Sequence, residues 1–138
     1  MSNSSNLLHL KQQLRAFAEQ RNWEQFHTPK NLSMALSGEV AEITEIFQWL
    51  TPEQSEQLSV EKKQQLEEEI ADVMMYLVRL ADKCDIDISD ACQRKLAKNN
   101  EKYPVDKCYG SAKSITSYKI KKAGVKSQLF YQTWFNYF

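Results

Sequence analysis

The sequence predicts an all-α chain with a four-helix-bundle-like architecture. Three observations carry that expectation: apolar residues recur at helical spacing, only three Gly and three Pro interrupt the 138 residues, and no alternating strand-type run competes. The length suits one domain with a core of its own. With 42% hydrophobic and 26% charged residues, the composition is that of a folded, soluble chain rather than a disordered one.

Residues 7–20, LLHLKQQLRAFAEQ, place Leu7, Leu10, Leu14 and Phe17 on one face of a first helix, with Asn6 as the expected N-cap. The next segment, 21-RNWEQFHTPKN-31, reads as a loop because of Pro29, and it gathers Trp23, Phe26 and His27. A second helix is expected from Leu32 to Leu50, with Leu32, Leu36, Val40, Ile43 and Phe47 as its core stripe. Thr51 and Pro52 then supply the cap and first-turn preferences of a short extra turn. The longest helix should run from about Ser59 to Cys84 on Leu66, Ile70, Val73, Leu77 and Leu80 or Ala81. After the turn signal 85-DIDISD-90, Asp87 or Ser89 is expected to cap a fourth helix ending near Glu101. Residues 1–111 then form the helical domain. Residues 112–138 form an extension, basic at first and with six aromatics in its last nine positions, which should pack on the bundle or on a partner subunit.

Two segments set acids beside core positions. In 39-EVAE-42 and 69-EIAD-72 the carboxylates stand three residues apart, hence on one helix face, and Glu45 continues the first series. Val40 and Ile43 flank one pair and Ile70 and Val73 the other, so both pairs fall at the edge of a buried face or inside it. With 26 residues between the pairs, antiparallel packing of the two helices lets all four acids meet. Four close carboxylates repel one another and lose solvation. A cation resolves the conflict, and oxygen-only ligands favour Mg²⁺ or Mn²⁺ over zinc. Glu39, Glu42, Glu69 and Asp72 are therefore the candidate metal ligands and catalytic carboxylates, and attack of water on a phosphate is the chemistry that suits them. A di-iron bundle needs Glu-x-x-His on each of two helices, a pairing this chain lacks. The alternative is solubilising surface charge, which suits Glu67 and Glu68.

Net charge is zero but unevenly spread. Residues 39–90 hold fourteen acidic against four basic residues, and residues 94–126 hold ten basic against two acidic. An acidic middle and a basic sequel suit a metal site and an anionic substrate, or a solvated charged surface. Neutrality and the lack of a nucleic-acid motif argue against duplex DNA as a partner. Lys95, Asn99 and Lys102 form a polar stripe suited to phosphate oxygens or to a solvated helix face, and there is no Gly-rich phosphate loop. Trp49 and Tyr76, like Trp23 and Phe26, are candidates for enclosing a base or for covering the core. Cys84, Cys92 and Cys108 are odd in number and lack metal-ligand spacing. With no signal-like or membrane-spanning segment, a cytoplasmic protein that does not enter a membrane is expected.

Beyond these local readings, the sequence resembles the MazG-like all-α nucleoside triphosphate pyrophosphohydrolases, especially their short single-domain branch related to dCTP pyrophosphatase. The resemblance rests on 39-EVAE-42 followed by 69-EIAD-72. It extends through 22-NWEQFHTPKNLSMAL-36, 67-EEEIADVMMYLVRLA-81 and 95-KLAKNNEKYP-104, covering about residues 8–113. It implies a MazG-type fold and Mg²⁺-dependent cleavage of a (deoxy)nucleoside triphosphate between its α and β phosphates, with modest preference for a deoxycytidine-type substrate. Glu39, Glu42, Glu69 and Asp72 would ligate the ion. One of them would also orient or deprotonate the attacking water, with Glu42 the first candidate. Lys95, Asn99 and Lys102 match positions for the triphosphate, and Trp49 and Tyr76 positions near the nucleotide. Trp23, Phe26, His27 and Asn31 match the N-terminal block, where His27 would contact the base or sugar. A homodimer or homotetramer and a role in cleaning the nucleotide pool are implied likewise. Beyond Ser111 the sequence departs from the family pattern. Two other functions stay open: an all-α dUTP or dUDP phosphohydrolase, and a noncatalytic metal-binding helical module.

Overall fold

The computed structural model describes residues 3–110, with side chains from Asn6 onward; the extension expected at 112–138 lies outside the described residues. Its elements are α1 (Asn3–Gln20), α2 (Pro29–Phe47), α3 (Pro52–Ser55), α4 (Val60–Lys83), α5 (Ile88–Lys102) and α6 (Val105–Cys108). The four longer helices are those the hydrophobic spacing predicts.

Local chemistry sets their ends. α1 starts before Asn6, so Asn6 lies inside the helix rather than capping it. Pro29 opens α2 instead of extending the loop: it takes the first helical turn, where its missing N–H costs nothing, and the Thr28 side chain accepts the Asn31 N–H at 3.2 Å. Thr51 and Gln54 form a reciprocal capping box on α3, and the Ser59 hydroxyl caps α4. The Asp87 carboxylate accepts the Asp90 N–H at 2.9 Å, which decides between the two expected caps of α5.

Two helices end alike. Asn22 (φ 54°) follows α1 and Asp85 (φ 55°) follows α4, both left-handed. Beyond each, an N–H reaches back five residues, from Trp23 to the Ala18 carbonyl and from Ile86 to the Ala81 carbonyl, both at 2.9 Å. This is the Schellman closure, made by residues whose short polar side chains tolerate positive φ. It fixes where Trp23 and its loop leave α1.

The chain divides into two units, residues 1–91 and residues 92–138. In the first, α2 lies along α4 and α1 also contacts α4. Ala18, Leu32, Val78 and Ala81 are its buried apolar residues. Val40, Ile70 and Leu77, expected in the core, are instead 47%, 50% and 39% exposed, and Met34 and Met74 are exposed with them. Both helices thus carry more apolar surface than they bury within the described residues. The described part of the second unit holds most of α5 and all of α6, a turn the sequence reading lacks.

A charged network joins α1, the α1–α2 loop and α4. The Asp82 side chain, only 4% exposed, accepts Arg15 Nε at 2.8 Å and Arg79 Nη1 at 3.0 Å, with Lys11 at 3.9 Å. The Arg15 hydrogen bond, above all, holds the Asp82 carboxyl below its usual range against the opposing effect of burial. A depressed carboxylate pKa contributes stability that is present above the unfolded value and lost as pH falls through the folded one. Replacing Asp82 with Asn should destabilise the chain by about 1–3 kcal/mol, because Arg15 and Arg79 lose a buried carboxylate and Arg79 keeps only Glu24 as its acidic partner among the described residues. Urea melts of wild type and D82N at neutral pH, and a narrowing gap between them in acid, check this.

Candidate active site

One turn of α2 and one of α4 supply the acidic site. The helices run antiparallel, since Glu39 of α2 meets Asp72 of α4 while His27, just before α2, meets Arg79 further along α4. Carboxylate oxygens of Glu39, Glu69 and Asp72 lie within 4.8 Å of one another, all three residues being partly buried. Glu42 is exposed at the rim, and its carboxylate acts on Glu69 by charge and hydrogen bond.

The electrostatics match that crowding. Burial, then Asp72 and Glu42, raise the Glu39 carboxyl above its ordinary value. Burial, then Glu42, Glu39 and Asp72, raise Glu69. In both cases the folded state takes up a proton more readily than the unfolded chain. The fold therefore gains stability as pH falls into that raised range and loses it as pH rises through it. Convergent hard oxygen donors with mutual repulsion fit a divalent cation such as Mg²⁺, whose charge removes the penalty.

The other predicted residues divide into groups. Trp23, Phe26 and His27 stand in the α1–α2 connection and Asn31 in the first turn of α2. Trp23 meets Phe17 edge-on at 5.8 Å and His27 at 6.4 Å between ring centroids. Asn31 Nδ2 donates to the Phe26 carbonyl at 2.9 Å, so its amide shapes the loop. Tyr76 lies one turn beyond Asp72 on α4, partly buried. Trp49 follows α2 and is 86% exposed. Lys95, Asn99 and Lys102 recur along α5 in the second unit, with Lys102 Nζ 4.6 Å from the Tyr103 ring centre. A cavity of about 490 Å³ opens elsewhere, among Leu7, Lys11, Asp82, Asp85, Ile86 and Ile88, and none of the four site acids lines it.

Sequence reasoning missed Glu24 and Arg79. Arg79 donates to Glu24 and meets His27 Nδ1 at 3.3 Å, while Lys83 also binds Glu24. Glu24 and His27 have Glu-x-x-His spacing, but they sit on the loop and answer to Arg79. The available signal was periodic: Glu69, Asp72, Tyr76, Arg79 and Lys83 follow one another at alternating intervals of three and four along one face of α4.

Comparison with known proteins agrees with this architecture. The MazG-like family model matches residues 34–117, and the chain belongs to the MazG-like family. It is 43% identical over 102 residues to dCTP pyrophosphatase 1 of Bos taurus, across 72% of this chain and 60% of that one. The Homo sapiens dCTP pyrophosphatase 1 is 41% identical over the same coverage. The match thus spans about 60% of these relatives' length. The crystal structure of a pyrophosphatase from Archaeoglobus fulgidus superposes with a TM-score of 0.67 at 42% identity, covering 75% of this chain and 94% of that one.

Like-charge crowding yields a direct test. Glu69→Gln should raise the urea midpoint of the chelator-treated chain and abolish the further rise that Mg²⁺ gives the wild type. An unchanged midpoint in chelator, with the Mg²⁺ increment intact, would contradict the site.

Proposed function

We propose that the chain hydrolyses a (deoxy)nucleoside triphosphate at the α–β linkage, releasing the nucleoside monophosphate and pyrophosphate, with a deoxycytidine-type base preferred. The observation that carries this reading is the convergence of Glu39, Glu69 and Asp72 within a cation's reach, in a family whose named relatives include dCTP pyrophosphatase 1. A Mg²⁺ ion held by Glu39, Glu42, Glu69 and Asp72, with Mn²⁺ as a substitute, would supply positive charge to the phosphoryl group as negative charge develops there.

The chain's own groups do the rest. Glu42, at the exposed rim beside Glu69, orients the attacking water and accepts its proton. Tyr76, Trp23 and Phe26 offer aromatic surface to the base, and Trp49 offers more once a second subunit covers it. His27 and Asn31 supply polar groups beside that surface. Lys95, Asn99 and Lys102 bind phosphate oxygens, a role carried by the sequence resemblance alone.

A homodimer, or a homotetramer built as a dimer of dimers, would cover Met34, Val40, Ile70, Met74 and Leu77, whose exposure on one chain is otherwise a liability. The working setting is the cytoplasm, where the thiols of Cys84, Cys92 and Cys108 remain reduced. Among the described residues no helix is long and apolar enough to cross a membrane. Removal of surplus or noncanonical deoxynucleotides is the corresponding physiological task.

Product analysis over canonical and modified dNTPs and NTPs with Mg²⁺ tests the reading. Monophosphate plus pyrophosphate is expected. Glu42→Ala and Asp72→Ala should each lower turnover by roughly a hundredfold or more while far-UV dichroism stays that of the wild type. Diphosphate plus phosphate would indicate a different phosphohydrolase, and bound Mg²⁺ without turnover would indicate a noncatalytic module.

A further inference from the structure

Arg79 is 4% exposed, and its guanidinium engages Glu24 and His27 of the loop and Asp82 of its own helix. Its Nε–H is buried without an acceptor. A buried charge with an orphaned donor is a costly way to hold a loop, since an apolar side chain of similar volume often serves stability as well or better. What an apolar residue cannot do is dictate the state of His27.

A guanidinium only donates, so the ring nitrogen it meets has to accept. Nδ1 of His27 faces Arg79 at 3.3 Å, which leaves the ring proton on Nε2. Burial first, and then the Arg79 charge, push the His27 pKa down, against a smaller opposing effect of Glu24. The ring is therefore neutral at physiological pH. Among the described residues Nε2–H has no acceptor, although the residue is partly buried.

We propose that Arg79 is a positioning residue for substrate recognition: gripping Glu24 and His27, it fixes the loop on α4 and makes His27 Nε2–H a neutral donor for an uncharged acceptor on the nucleoside. That acceptor is a base carbonyl, a base ring nitrogen or a sugar oxygen. The inference rests on the nucleotide-hydrolase reading and deepens it. Arg79 stands seven residues beyond Asp72 on α4, about 10 Å along the axis, with Tyr76 between. That separation is comparable to the span from a nucleotide's phosphates across its sugar to the base.

Two readouts test the inference. Ring-nitrogen NMR of the full ¹⁵N-labelled chain, with His27→Gln distinguishing His27 from His9, reads the tautomer without any nucleotide. A protonated Nε2 and bare Nδ1 are expected in the wild type, and a tautomer mixture in Arg79→Met. Steady-state kinetics of R79M should give a KM for the preferred nucleotide roughly three- to tenfold higher, with little change in kcat, as expected for one lost binding hydrogen bond. Arg79→Lys, which retains charge without the planar fork, should lie between and carries the kinetic comparison if R79M does not fold.

A His27 that is charged at neutral pH, or protonated on Nδ1, overturns the inference. So does a wild-type KM and base preference in the folded variants. Absence of turnover in the wild type would instead strike the proposed activity, and the ring spectrum would still decide whether Arg79 sets the state of His27.

Discussion

Carboxylates crowded between two antiparallel helices are the constraint on which the rest depends. Glu39, Glu69 and Asp72 cannot all be ionised and partly buried within 4.8 Å of one another without cost. Burial and mutual repulsion raise the proton affinity of Glu39 and Glu69, and a divalent cation satisfies the same demand more fully. The chain thus gives up some stability as an isolated molecule to hold hard oxygen donors close together. Strain of this kind is common at sites kept for function rather than for folding.

The opposite end of the same helix pair is organised by opposite charge. Asp82 draws Lys11, Arg15 and Arg79 together, and Glu24 joins Arg79 to Lys83, so the loop from α1 to α2 is fastened by ion pairs rather than by a large apolar core. Few side chains of the first unit are fully buried, which gives these pairs more weight than ion pairs on a conventional surface. α4 therefore carries two charged groups along one face: the clustered carboxylates Glu69 and Asp72, and a clamp at Arg79 and Lys83, with Tyr76 between.

Much of this was legible in the sequence, for identifiable reasons. The spacing of Leu66, Ile70, Val73, Leu77 and Leu80 or Ala81, with a start expected near Ser59, gave α4 almost to the residue. The paired i, i+3 carboxylates predicted a meeting of all four acids; Glu39, Glu69 and Asp72 do cluster, while Glu42 stands exposed at the rim. Pro29 misled because a proline reads equally as a loop signal and as a first-turn residue, and only the Thr28 cap decides between them. Val40 and Ile70 were expected inside because periodicity reports which residues are apolar, not which surface covers them. The Arg79 clamp was opaque because its partners, Glu24 and His27, lie more than fifty positions away and in a loop without periodicity.

The central claim is that these acids are a cation site, and the most direct measurement is an electron paramagnetic resonance titration with Mn²⁺ on the full chain. The account predicts that wild-type protein removes the free-ion signal in proportion to the chain added, that Mg²⁺ competes, and that Glu69→Gln and Asp72→Asn leave the signal free. A free-ion signal undiminished by folded wild-type protein, with or without nucleotide present, would contradict it.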